Sequence, residues 1–270
     1  MTSIFSSIKI LKTAFTGKAE LYWLSFFRLL NYSLLTIFLL PFQVVILSFF
    51  PCKALFLTTF HHKAASKVLG LQIKVEGSPT KTTKALFVAN HVSYFDIIAV
   101  GSILPGRFIA KQELSTWPVF GILAKLTRTI FICRSSSSAL KQVRMIEKLL
   151  FKSERLILFP EGTSSDGKKV LPFKPSLFEA PMQADAIVQP LTIRYEKING
   201  MPVDRRSKPL LAWYGDMELL PHLWQSLSVG TITIKVVFHE PIKAVVFNNR
   251  KKLANHCQKI ISLELEKPTE

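Results

Sequence analysis

A histidine and an aspartate five residues apart, His91 and Asp96, stand in the run Asn90-His91-Val92-Ser93-Tyr94-Phe95-Asp96. An imidazole with one nitrogen held by a carboxylate keeps its other nitrogen ready to take a proton, the arrangement that makes a nucleophile of a hydroxyl. Five residues is not a same-face helical spacing, so the two side chains can meet only through a turn. The run follows an apolar, β-rich stretch, 85–89 (ALFVA). A strand end feeding a turn and then one helical winding would return Asp96 to His91, and strand ends are where α/β enzymes carry their chemistry. In isolation such a pair is more often a satisfied structural contact than a catalytic one.

The elements that must position the pair can be read around it. Short β-rich runs recur at 71–75, 85–89, 129–132, 155–159, 187–193 and 231–238. Helical patterns lie between several of them. In 138–152, Leu140, Val143, Ile146, Leu149 and Leu150 share one face and basic residues the other. A closing helix is expected at 254–265. Strands alternating with helices give an α/β domain, a mixed sheet flanked by helices, and the change of pattern near residue 70 sets the expected division: a membrane-associated helical region at 1–69 and the α/β domain at 70–270.

The N-terminal region has a different character. Residues 29–50 carry no charge, enough apolar length to cross a bilayer, although Pro41 and Gln43 interrupt the middle. Lys9, Lys12, Lys18 and Arg28 precede the segment and Lys53, Lys63 and Lys67 follow it. Such balanced flanks give no positive-inside bias and favour a helical hairpin or one-leaflet insertion over a single span. A cleaved signal peptide and a buried core helix are the less favoured alternatives. The mean hydropathy of +0.28, with 49% hydrophobic residues, fits a chain partly in lipid, and the net charge of +17 fits an anionic membrane surface. Nucleic acid is the other polyanion that such a charge attracts. The aromatics, however, fall in apolar runs (Trp23, Phe26, Phe27, Phe38) rather than interleaving with basic residues, so no nucleic acid is expected. Cys52, Cys133 and Cys257 show no disulfide or zinc spacing. Cys133, in an apolar strand pattern, reads as buried filler. Adjacent His61 and His62 point apart on a helix, make a poor metal pair and read as interfacial.

The block NHVSYFD resembles the N-H-x-x-x-x-D block of the glycerolipid acyltransferases, the 1-acylglycerol-3-phosphate acyltransferase family, bacterial type. Further blocks agree in order and spacing. Lys111-Gln112-Glu113-Leu114 with Trp117-Pro118 and Gly121 resembles a K-x-E-L segment, 129–134 (TIFICR) an apolar strand ending in arginine, Phe159-Pro160-Glu161-Gly162-Thr163 the F-P-E-G-T block, and 188–191 (VQPL) a short apolar-Pro-apolar block. The likeness covers about 70–195. Phe173-Lys174 is followed by Pro175-Ser176 where the family often has a glycine, which affects the local loop. A stretch at 213–216 (WYGD) is weakly similar to bacterial members that acylate lyso-ornithine lipid.

The resemblance implies transfer of a fatty acyl group from acyl-CoA or acyl-carrier protein, as co-substrate, to a lysophospholipid hydroxyl. The leading acceptor is 1-acyl-sn-glycerol-3-phosphate, giving phosphatidic acid. The alternative is another lysolipid such as lyso-ornithine lipid, and the alternative of another class is a non-catalytic basic protein binding membrane or nucleic acid. His91 and Asp96 become the catalytic pair. Arg134 and the turn Glu161-Gly162-Thr163 become acceptor-binding residues, with Lys111 a candidate phosphate contact. Glu161 has a competing role, holding a nearby cation. Backbone N–H groups near Gly162 or Lys111 are candidate oxyanion donors. Lys168, Lys169 and Lys174 read as a solvated or membrane-facing rim. Without a G-x-S-x-G serine or a His-paired cysteine, the acceptor attacks directly. No metal and no cofactor is expected, and the partners are membrane lipids and the acyl carrier. The expected location is the cytoplasmic face of the bacterial inner membrane.

Overall fold

The computed structural model describes residues 2–133 and 139–268, with side chains from 22 to 133 and from 140 to 268. Within these residues a mixed nine-stranded sheet carries helices on both faces. The strands are β1 (Leu71–Glu76), β2 (Ala85–Ala89), β3 (Arg107–Lys111), β4 (Ile130–Ile132), β5 (Arg155–Leu158), β6 (Ile187–Ile198), β7 (Met201–Pro202), β8 (Ile232–Phe238) and β9 (Ile242–Lys243). Their order is β1-β8-β6-β2-β5-β3-β4, with β7 and β9 paired to β6. Strands β4, β3, β5, β2 and β6 run parallel, whereas β8 is antiparallel to β6 and parallel to β1. The helices are α1 (Thr2–Phe49), α2 (Ala54–Val68), α3 (Phe95–Ile103), α4 (Phe120–Leu126), α5 (Ala139–Phe151), α6 (Glu179–Gln183), α7 (Leu219–Ser228) and α8 (Arg250–Leu265).

Strand β2 shows why the sheet is buried on both sides. Successive side chains point to opposite faces. Ala85, Phe87 and Ala89 enter one core with Phe95 and Val100 of α3, while Leu86 and Val88 enter the other with Ile146 of α5 and Ile261 of α8. A strand covered on both faces reads as an unbroken apolar run rather than an alternating one.

The N-terminal segment is one continuous helix through Pro41, with no hairpin inside residues 29–50. The reversal comes later, at a short 3-10 turn, Pro51–Lys53, that leads into α2. Proline costs α1 one backbone donor, but the helix does not turn there. Helix α1 is fastened to the α/β layers along one side. The Ser25 hydroxyl donates to the Trp224 carbonyl at 2.8 Å, and Gln43 Nε2 donates to the Leu126 carbonyl at 2.7 Å. Between them the Arg28 guanidinium donates to the carbonyls of Leu227 (3.0 Å), Val229 and Gly230 (2.7 Å) at the end of α7, where a cation suits the helix C-terminus. Gly70, at φ +76°, leaves room for that guanidinium, since a Cβ there would lie 2.1 Å from Arg28 Nη2.

Two sequence readings need correction. Cys133 is exposed, because β4 ends at Ile132. His62 is buried rather than interfacial, and its Nδ1 lies so close to Gly101 of α3 that a Cβ there would come within 2.0 Å.

Arg28→Met should strip the α7 end of its charged donor. The expected cost is on the order of 3 kcal/mol, read as a lowered thermal unfolding midpoint in detergent, with Arg28→Lys recovering part of it.

Candidate active site

The sequence blocks meet because they follow parallel neighbouring strands. Strands β2, β5 and β3 end side by side, with Val88 opposite Leu158 and Ile109 opposite Leu158. Their carboxyl ends deliver His91, Phe159 to Glu161, and Lys111 to one edge of the sheet, where open α/β sheets place ligands. Strand β4, parallel to β3, ends at the same edge at Ile132, but Arg134 itself lies outside the described residues.

At this edge the chain turns after β2 and enters α3 with Asp96 in the first turn, so the expected strand-turn-winding is realised. His91 Nδ1 lies 2.8 Å from Asp96 Oδ2. The same oxygen accepts the backbone N–H groups of Val92 (2.6 Å) and Ser93 (2.9 Å). Oδ1 accepts the hydroxyl of Tyr195, on β6, at 2.7 Å. The Asp96 side chain has no exposed surface. An ionised carboxylate accepts only, so Nδ1 carries the hydrogen and Nε2 is the basic nitrogen. Burial first, then the charge of Asp96, pushes the Tyr195 phenol well above its ordinary range, so it remains a donor. The imidazole lies flat against Phe159, centroids 4.2 Å apart and planes within 14°, which fixes the ring's tilt.

Backbone bonds hold His91 from both sides. Its N–H donates to Glu161 Oε1 at 2.7 Å, and Glu161 Oε2 accepts from the Leu171 N–H at 2.9 Å. Glu161 therefore clamps two backbone donors. Burial, opposed by these two hydrogen bonds and aided by the nearby Asp96 charge, pushes its carboxyl up to about 7. The His91 carbonyl accepts the N–H of Ser165 at 2.9 Å. Asn90 extends the β2–β6 ladder by its side chain, donating to the Ile193 carbonyl (3.0 Å) and accepting its N–H (2.8 Å).

The remaining site candidates divide. Gly162, at φ +70°, has Lys174 Nζ so near that a Cβ would come within 2.5 Å of it. Lys174 thus belongs beside the Glu161-Gly162-Thr163 turn rather than on a distant rim. The Gly162 N–H donates to the Phe159 carbonyl at 3.0 Å and so is not an open oxyanion donor. Thr163 is exposed, and Lys111 is half-buried at the end of β3. Sequence reasoning missed Tyr195, whose partner is 99 positions away, and missed β3 altogether.

A cavity of about 350 Å³ opens beside His91, roofed by α1 and α2. Its walls are chiefly apolar, among them Leu39, Phe95, Ile98 and Trp117. Its few polar side chains include His61, whose Nε2 pairs with the Thr36 hydroxyl at 2.9 Å. Such a space suits an alkyl chain, with a basic nitrogen at its wall. The arrangement can remove a proton from a hydroxyl held against Nε2. Among the described residues no cluster of three or more His, Cys, Asp or Glu side chains is placed to hold a metal.

A family model described as Acyltransferase matches residues 72–194. A lyso-ornithine lipid O-acyltransferase of Brucella abortus is 37% identical over 228 residues, 82% of this chain and 85% of that protein. A 1-acyl-sn-glycerol-3-phosphate acyltransferase of Neisseria gonorrhoeae is 35% identical over 178 residues, 65% of this chain and 68% of that protein. Among solved structures, that of the 1-acyl-sn-glycerophosphate acyltransferase from Thermotoga maritima superposes with a TM-score of 0.69 at 21% identity, covering 93% of this chain and 96% of that one. That likeness is one of fold.

A carboxyl raised above its ordinary 4.5 binds protons more tightly in the folded chain than in the unfolded one. The contribution of Glu161 to stability is thus complete below about pH 4.5 and is lost as pH rises through about 7. Glu161→Gln should remove this decline from the pH dependence of unfolding. It should also cost about 1–3 kcal/mol at low pH, because the amide nitrogen meets one of the two N–H donors.

Proposed function

The chain belongs to the acyltransferase family that includes bacterial lyso-ornithine lipid and 1-acylglycerol-3-phosphate acyltransferases, and from that membership we propose its acceptor and its chemistry. It is an enzyme that transfers acyl groups to a lysolipid. The acceptor we propose is a lyso-ornithine lipid. The observation that carries this choice is the extent of the likeness: the lyso-ornithine relative matches over 82% of the chain and the lysophosphatidate relative over 65%. Lysophosphatidate, the leading acceptor on sequence grounds, becomes the second reading.

In the proposed reaction the acceptor hydroxyl attacks the thioester carbonyl of acyl-CoA or acyl-carrier protein while His91 Nε2 takes its proton. Asp96, held by its four donors, keeps Nδ1 protonated and stabilises the imidazolium. Collapse of the tetrahedral intermediate expels the thiolate, which takes the proton back from His91 and leaves as the thiol. General-base help of this kind contributes about 10²–10⁴-fold. Glu161, by anchoring the His91 backbone, and Phe159, by stacking on the ring, set the base's position. The acyl chain occupies the apolar cavity under α1. Lys111, Arg134, Gly162 and Thr163 remain the proposed acceptor contacts, Lys174 joining them.

The long apolar helix α1 is consistent with a membrane anchor. We propose residues 1–69 as the membrane-associated region, 70–270 as the catalytic domain, and insertion into one leaflet from the cytoplasmic face, where the thioester donor is available. The support is geometric. The bonds from Ser25 to Gln43 tie roughly 27 Å of α1 to the α/β layers, while Trp23, Phe27, Phe38 and Phe42 stay exposed on it. A span along the bilayer normal would take the catalytic layers into lipid.

Two experiments test this reading. Purified enzyme with one acyl donor should acylate lyso-ornithine lipid; product from lysophosphatidate alone would overturn the acceptor. His91→Ala should reduce turnover at least 10²-fold while leaving vesicle binding intact, and retained turnover would remove His91 as base. Separately, in a Cys133→Ser background, Cys52 at the α1–α2 turn should resist an impermeant maleimide supplied from the periplasmic side. Labelling from that side would overturn insertion from the cytoplasmic face.

A further inference from the structure

Beside the apolar cavity lies a second, smaller space of about 30 Å³, lined by Asp166, Lys168, Arg205, Lys208, Pro209, Ala212 and Tyr214. It is too small for an acyl chain, and its lining is chiefly charged and polar. Its walls are tied to the His91 segment: Ser165 donates to the His91 carbonyl at 2.9 Å, and the Trp213 N–H donates to the Val92 carbonyl at 3.0 Å. Lys208 Nζ closes the recess by donating to the Gly167 carbonyl at 2.9 Å, and a Cβ at Gly167 would meet Val92 at 3.1 Å. The stretch from Lys208 to Tyr214 serves as a partition. Trp213 faces the apolar cavity, and its neighbours Ala212 and Tyr214 face the recess.

We propose that this recess is the headgroup subsite of the acceptor and that it recognises a zwitterionic amino-acid head, one carboxylate together with one ammonium. The inference rests on the lyso-ornithine reading and specifies it. An amphiphilic acceptor needs an apolar wall and a charged wall on either side of the reacting hydroxyl, and the partition supplies both within a residue of each other. The charge set is mixed. Lys168, Arg205 and Lys208 are three cations against the one carboxylate of Asp166, which lies 3.1 Å from Lys168 Nζ. An ornithine head acylated on its α-amine keeps a free α-carboxylate and a side-chain ammonium. The carboxylate answers the cations of Lys208 and Arg205, and the ammonium answers Asp166. A phosphate head would answer the same cations but offers no ammonium to Asp166, so Asp166 is the residue that separates the two heads. None of these four residues falls in a block carrying the family resemblance, and Lys168 read from sequence as part of a solvated rim.

The test is steady-state kinetics of the full chain in mixed micelles, with lyso-ornithine lipid and lysophosphatidate as alternative acceptors. Lys208→Gln and Arg205→Gln should each raise KM for lyso-ornithine lipid about tenfold, with kcat and the donor KM little changed. Lys208→Arg should restore the wild-type value. Asp166→Asn should act with opposite sign on the two acceptors, raising KM for the ornithine head and lowering it for the phosphate head. If wild-type enzyme acylates lyso-ornithine lipid and Lys208→Gln, Arg205→Gln and Asp166→Asn all keep its KM within twofold, the recess assignment fails while the acceptor reading stands. Equal effects of Asp166→Asn on both acceptors would mark a structural loss and also overturn it. Wild-type enzyme inactive on lyso-ornithine lipid would overturn the acceptor reading, and the zwitterion assignment with it.

Discussion

A carboxylate without exposed surface is tolerated only where donors replace its water, and Asp96 receives four: one imidazole N–H, two backbone N–H groups and one phenol. Much of the architecture is arranged to bring those donors together. The imidazole and the two amides come from the turn after β2. The phenol comes from β6, the strand beside β2. Helix α3 begins at this turn, and its N-terminal dipole favours the negative charge in its first turn. The same constraint sets the tautomer of His91, because an acceptor-only partner at Nδ1 leaves Nε2 as the basic atom. A site built this way is rigid before any substrate arrives, which is how catalytic groups gain from orientation.

The second requirement is to place this polar centre against lipid. The sheet cannot do so alone, since its carboxyl-end edge is polar. Helices α1 and α2 supply the apolar roof, and Arg28, Ser25 and Gln43 hold α1 in place through backbone carbonyls of α7 and α4. One side of α1 thereby lines the cavity while the other leaves Trp23, Phe27 and Phe38 exposed. A helix apolar on all sides is otherwise expected to be buried in a core or in a membrane. Here a single element meets both demands, forming part of the cavity wall and presenting an apolar surface outward.

His61 and Thr36 show how polar groups are accommodated in that roof. They satisfy each other at 2.9 Å, so the cavity gains little polarity from them. Burial holds the neighbouring His62 down to about 4, neutral at physiological pH, which suits its contact with Gly101 and its edge-on packing against Phe108. Adjacent histidines that the sequence marks as a poor metal pair at an interface are thus packing residues in the fold.

The sequence by itself determined what local physics encodes. The β-rich runs at 85–89 and 155–159 marked strands, the amphipathic pattern at 138–152 marked α5, and the uncharged stretch at 29–50 marked an element needing lipid or a core. The His91–Asp96 turn was legible because both partners lie within one winding of chain. The tertiary structure decided what depends on distant pairing. It brought the sequence blocks to one sheet edge through parallel strand order, supplied Tyr195 to Asp96 across 99 residues, made Glu161 a clamp on the backbone of His91, and moved the helix reversal from Pro41 to Pro51–Lys53. None of these leaves a periodic trace, because a hydrogen bond between strands constrains position in space without constraining the residues adjacent in the chain.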